Sequence, residues 1–147
     1  MRAPAQPARS QRYFTDDLAV LHGFTLRKGG VSTEPYGSLN LGLSSGDEPD
    51  KVERNRDLLL SELGFERAQV SAFHQVHGDR VYTGGPTWFH EKADAAVSAD
   101  PNELLVVSVA DCLPMLFHDP VTGAVGAAHC GWRGTVVAGA LAAAMLV

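Results

Sequence analysis

The chain has 147 residues, 45% of them hydrophobic and 20% charged, which is the composition of one soluble globular domain and excludes disorder as its general state. Its formal net charge is −5. Because Arg2, Arg9 and Arg12 stand in a stretch with no acid, the remainder from Tyr13 onward is more acidic still and repels a phosphate backbone, so nucleic acid is not an expected partner.

Met1–Arg12 is rich in Ala, Pro and Arg and lacks the apolar core of a secretory signal, which predicts a flexible tail (residues 1–12) before a single domain over 13–147. No run reaches the ~20 apolar residues of a membrane-spanning helix, so a membrane is not an expected partner either. With no export signal the expected compartment is cytoplasmic, where a disulfide between Cys112 and Cys130 is not expected.

Leu21–Leu26 reads as a short strand running into Arg27-Lys28-Gly29-Gly30-Val31-Ser32, whose paired glycines permit positive φ and close backbone approach. Pro35–Pro49 reads as an ordered surface loop. Asp50 with Glu53 three positions on has the form of a capping box, Val52, Leu58, Leu59 and Leu63 give an imperfect amphipathic period, and Gly64 stands where a C-cap belongs. This predicts a helix over Lys51–Leu63. Gln69–Phe73 and Ala93–Val97 then read as strands, and Leu104–Val109 as a strand buried on both faces. Gly84-Gly85-Pro86 marks a break. Met115–His118 and Ala124–His129, joined by Asp119-Pro120-Val121-Thr122-Gly123, form a predicted hairpin. The fold class expected is α/β, a mixed sheet with flanking helices.

From Pro120 to Val147 the one charged residue is Arg133, and a helix over Gly134–Val147 would be apolar on every side. Such a helix must be covered all round. The expectation is therefore that the domain is truncated at its C-terminus and a further segment covers this face, or that the chain forms a homodimer through it.

Reactive side chains collect in three short stretches: His74-Gln75-Val76-His77-Gly78, Ala110-Asp111-Cys112-Leu113-Pro114 and Ala128-His129-Cys130-Gly131-Trp132-Arg133-Gly134. Cys112 follows the strand Leu104–Val109, and the hairpin strand ending at His129 is expected beside it; strand ends are where α/β sheets place ligand sites. One thiolate and two imidazoles suit zinc, and three protein ligands leave a fourth tetrahedral position open for water or substrate. None of the spacings is that of a zinc finger. The competing readings are a small buried cysteine with satisfied histidines, and a Cys112 nucleophile with His129 or His77 as base.

Arg27–Ser32 suits an anion, with a guanidinium forking onto phosphate oxygens and glycine-flanked backbone N–H groups forming a nest; an ordinary glycine turn is the alternative. Asn40 reads as a turn-stabiliser ahead of a substrate contact. Asp111 is a candidate to orient a ligating imidazole from behind, and Arg133 to pair with Asp111 or bind an anion, with a structural use favoured. Cys130 is expected to point away from the cluster if His129 points in, because strand neighbours alternate faces. His22, His90 and His118 have no assignable role.

Five stretches in order, from Gly23-Phe24-Thr25 through Gly29-Gly30-Val31-Ser32, then Asn40-Leu41-Gly42, Gln75-Val76-His77-Gly78, Ala110-Asp111-Cys112-Leu113-Pro114 and His129-Cys130-Gly131-Trp132-Arg133-Gly134, resemble the laccase-like multicopper polyphenol oxidoreductases, also described as zinc-containing purine nucleoside phosphorylases. The resemblance implies a mixed α/β fold and a metal, zinc with copper as the alternative, held by His77, Cys112 and His129. It implies phosphorolysis of adenosine and inosine to free base and ribose 1-phosphate, with adenosine deamination in some members. Arg27 is the implied phosphate holder, with Gly30, Ser32 and Asn40 as further candidates for the substrate. The family's likeness to cysteine hydrolases keeps the Cys112–His pair as an alternative, beside a copper phenol oxidase and a non-catalytic zinc module. Two departures stand out: the family domain extends further at its C-terminus, and Cys130 occupies a place where alanine is commoner.

Overall fold

The structure, a computed structural model, describes residues 13–14 and 19–133. The expected tail and the apolar helix over Gly134–Val147, with whatever covers it, lie outside the described residues. The chain divides into two compact units after Glu66.

In the first unit β1 (Tyr13–Phe14) pairs antiparallel with β2 (Phe24–Thr25), so the strand expected over Leu21–Leu26 is confined to two residues. A 3-10 turn at Leu43–Ser45 interrupts the expected loop, and α1 runs from Pro49 to Leu63. The capping box does not form. Glu48 is the N-cap, without a side-chain cap bond, because Pro49 has its φ preset for a first turn and no N–H to satisfy, which starts the helix ahead of Asp50. The other end is as expected: Gly64 takes φ 78°, and the N–H of Phe65 donates to the Leu60 carbonyl at 3.0 Å, closing the helix with a left-handed residue that glycine adopts without strain. Along α1 the buried positions are Val52, Asn55 and Leu60; an amide lies in the apolar stripe.

The second unit carries β3 (Val70–His74), β4 (Val81–Tyr82), β5 (Thr87–Lys92), β6 (Ala95–Ser98), β7 (Leu104–Val106), β8 (Leu113–His118) and β9 (Val125–Cys130). They form a parallel sheet in the order β5-β3-β7 and a mixed sheet in the order β4-β6-β9-β8. The mixed α/β class is as expected, with one complete α-helix among the described residues instead of several. Sequence patterning missed β4 and β5, which have no clean alternation.

Two expectations about β7 need correction. It ends at Val106 and is half-buried, with Val109 42% exposed, because it pairs with β3 alone at the sheet edge. Beyond it the Gln75 amide replaces a neighbouring strand, donating to the Ser108 carbonyl and accepting its N–H, both at 2.7 Å. Nor does the hairpin strand lie beside β7: β9 sits between β6 and β8. The hairpin itself is as expected, in register from Leu113↔Cys130 to His118↔Val125. The Gly123 N–H closes its turn onto the Asp119 carbonyl at 2.9 Å. Alternation along β9 sends Ala128 and Cys130 into a core cluster with Ala95.

Candidate metal centre

The register of the hairpin decides the site. Pro114 opposes His129 and Leu113 opposes Cys130, so Cys112, one residue before β8, arrives at the hairpin end where β9 presents His129. His77 comes from the turn after β3, its backbone in the left-handed region at φ 57°. One ligand atom each from His77, Cys112 and His129 lie within 4.8 Å of one another. Donors around a tetrahedral zinc stand about 3.5 Å apart, given bonds of about 2.1–2.3 Å; small side-chain rotations close that gap. The burial is graded: His129 is 4% exposed, Cys112 intermediate and His77 exposed. The two rings meet edge-on, centroids 4.8 Å apart. Gly131 makes room for this, since a Cβ there would stand 2.8 Å from Cδ2 of His77.

Behind the triad lies Asp94, which is 0% exposed. Its Oδ1 is 2.9 Å from Nδ1 of His129. It also accepts the N–H groups of Val76 and Gly78 on Oδ2, at 3.1 and 2.8 Å, and of His77 on Oδ1, at 2.9 Å. Burial by itself pushes the Asp94 carboxyl up, but the His129 bond and these three N–H groups outweigh it and hold the group below its ordinary value. Sequence reasoning missed Asp94. Its signal was there, a lone carboxylate inside the apolar run Ala93–Val97.

Asp111, expected behind an imidazole, instead faces Cys112, whose Sγ–H donates to Oδ1 at 3.8 Å. Burial, together with that carboxylate, pushes the Cys112 thiol up from its ordinary value. A nucleophilic cysteine needs the reverse, a thiolate stabilised by a cationic partner, and the group facing this sulfur from its own loop is a carboxylate. Arg133 places its guanidinium 5.2 Å from the centroid of the Trp132 ring, and among the described residues no ion pair joins it to Asp111. Cys130 is buried with Ala95 and Ala128 and is not part of the triad. The donor set, one sulfur and two imidazoles with a carboxylate behind one ring, fits a divalent transition metal such as zinc or copper.

The other candidates lie in the first unit, where Arg27, Lys28, Ser32, Glu34, Gly37 and Ser38 line an open cleft of about 660 Å³. The expected backbone nest does not form there. The N–H groups of Gly30, Val31 and Ser32 are spent on Ser38 Oγ at 3.2 Å, Asn55 Oδ1 at 2.7 Å and the Ser38 carbonyl at 2.9 Å. Arg27 donates through Nε and Nη2 to the Gly37 carbonyl and stays exposed, so charge for an anion in this cleft comes from side chains. Gly30 serves packing: a Cβ would sit 2.2 Å from the Ser38 carbonyl oxygen and 2.5 Å from Asn55 Oδ1. Ser32 donates to Asp47 at 2.6 Å, and the Asn40 amide donates to Ser45 and Asp47 at 2.6 and 3.1 Å. The hub of this loop is the buried Asn55, which donates to Ser32 Oγ and to the Ser38 and Asn40 carbonyls. It too escaped sequence reasoning, although an amide on an apolar helix stripe is a recognisable signal.

Residues 21–146 match the family model described as multi-copper polyphenol oxidoreductase laccase. The chain is 48% identical over 120 residues to a purine nucleoside phosphorylase of Deinococcus radiodurans, an alignment covering 82% of this chain and 47% of that one. It is 46% identical over 110 residues to the purine nucleoside phosphorylase YfiH of Escherichia coli, covering 74% and 44%. Among solved structures it superposes on Bacillus licheniformis hypothetical protein YfiH with TM-score 0.75 at 35% identity, covering 84% of this chain and 49% of that one. YlmD of Geobacillus stearothermophilus gives 0.74 at 34%, with 84% and 48% covered. The chain thus spans about half the length of the curated relatives it matches.

Proposed function

The chain belongs to the multi-copper polyphenol oxidoreductase laccase family, and from that membership we propose that it carries the metal centre of a purine nucleoside phosphorylase acting on adenosine or inosine. The observation that carries the proposal is the convergence of His77, Cys112 and His129, supported by relatives named for that activity. In the reaction a phosphate oxygen forms a bond to ribose C1′, the bond from C1′ to the purine nitrogen breaks, and its electron pair leaves with the base. A divalent ion held by the three side chains supplies Lewis-acid stabilisation of negative charge. Within the first unit Arg27, with Lys28 beside it in the cleft, offers its charge to an anion such as phosphate, while Gly30, Ser32 and Asn40 shape the loop that presents the guanidinium. His129 is buried and His77 exposed, so a substrate would approach the centre from the His77 side. Adenosine deamination is carried as a second activity of the same centre.

A phenol oxidase would need several coppers, and among the described residues the one group of three donors is this triad. Metal analysis followed by a phosphate-dependent base-release assay tests the proposal. Expected are one divalent ion per chain, zinc in preference to copper, and release of hypoxanthine from inosine only with phosphate. Cys112→Ala and His129→Ala are expected to cut release at least about a hundredfold; release at the native rate by both variants defeats the assignment. Bound zinc with no turnover of any nucleoside assigns a non-catalytic module, and copper-dependent oxygen uptake assigns the oxidase. Ammonia release from adenosine reads the second activity.

A further inference from the structure

We infer that Asp94 is the positioning residue of this centre: it holds the His77 turn and the His129 ring in their ligating arrangement before any ion arrives, and it fixes His129 as the tautomer protonated on Nδ1. The inference rests on the metal reading above, and it follows from counting donors and acceptors. A carboxylate offers about four lone-pair sites, and here four partners approach it, the N–H groups of Val76, His77 and Gly78 and the His129 ring. The backbone partners can only donate. An ionised carboxylate accepts only, so with Asp94 as the carboxylate the imidazole supplies the hydrogen of the fourth contact from Nδ1. The lone pair is then on Nε2, the nitrogen left to ligate.

The same residue grips both segments by their backbone. The His129 N–H donates to the Asp94 carbonyl at 2.7 Å, so His129 is held through main chain and ring together. On the other side, three successive N–H groups converge on one carboxylate around His77 at φ 57°, a conformation unfavourable for a non-glycine residue that persists where surroundings impose it. His77 and His129 are 52 positions apart in the sequence. Asp94 makes their spacing a property of the fold.

The test uses the full chain stripped of metal and then titrated with zinc alone. In the metal-free wild type, ring nitrogen chemical shifts are expected to report His129 with its proton on Nδ1; a proton on Nε2 overturns the inference. Asp94→Asn keeps the shape but turns an amide against backbone donors, so the His129 signature is expected to become a mixture of tautomers. Zinc affinity, read by competition with a chromophoric chelator, is expected to fall about 10–100-fold. Release of base at saturating zinc is expected to recover, because the ligands themselves remain. Affinity within twofold of wild type in a folded Asp94→Asn protein overturns the inference while the metal reading stands. Should that variant fail to fold, Asp94→Glu, which retains the charge but displaces it, serves in its place with the same expected losses. A wild type that binds no zinc yet shows the Nδ1 proton, lost on substitution, defeats the metal reading and keeps the positioning role.

Discussion

Each unit of the chain has a fully buried polar side chain that ties several segments together, Asn55 in the first and Asp94 in the second, and the two do different work. Asn55 is neutral and both donates and accepts, so it joins Val31, Ser32, Ser38 and Asn40 into a loop whose hydrogen bonds close on themselves. Asp94 as a carboxylate accepts only, so it gathers three backbone N–H groups and an imidazole ring around one charge. A buried amide finishes a structure; a buried carboxylate prepares a site.

The largest expected effect comes from exchanging the one for the other. Asn55→Asp puts a charge against the Ser38 and Asn40 carbonyls and removes both donors, which is expected to cost about 3–5 kcal/mol in urea unfolding. An unchanged midpoint would show that the loop has a different hub. Gly131→Ala probes the other side. Its Cβ would press on the His77 ring, so zinc affinity is expected to drop about tenfold with stability changed by less than about 1 kcal/mol; a stability loss with intact affinity would place the glycine's role in folding. The smallest effect is an acid one in the first unit. The Asp47 carboxyl is held below its ordinary value by the Ser32 hydroxyl first, then by Asn40 and the Glu48 N–H. A lowered value means that its contribution to stability is present above the ordinary carboxylate range, about 3.9, and is lost as pH falls through the folded value. A lower protection factor at the Glu48 amide is expected over that window, and Asp47→Asn should abolish the dependence.

The elements legible in the sequence were those with local causes. The body of α1, its glycine stop and the β8–β9 hairpin follow from periodicity and turn chemistry, and Cys130 turning from the cluster follows from strand alternation. The capping box failed because Pro49 acted first, and the extent of β7 failed because an apolar run reads the same at an edge as in a sheet centre. The chemistry-bearing triad was legible as residue types in reactive stretches, whereas the two hubs were passed over because each looks like a single polar interruption of an apolar run.

What the amino-acid sequence determined by itself is therefore the inventory: the class of fold, the donor types, the acidic surface and the glycines that permit close approach. The tertiary structure decided which donors meet. His77, Cys112 and His129 are brought together by the β8–β9 register and by one carboxylate reaching two segments, and Asp111, adjacent to Cys112 in sequence, gives up to Asp94 the place behind the imidazole. Periodicity and propensity act over a few residues, whereas a hydrogen bond between positions 94 and 129 exists only after the chain has closed the loop between them.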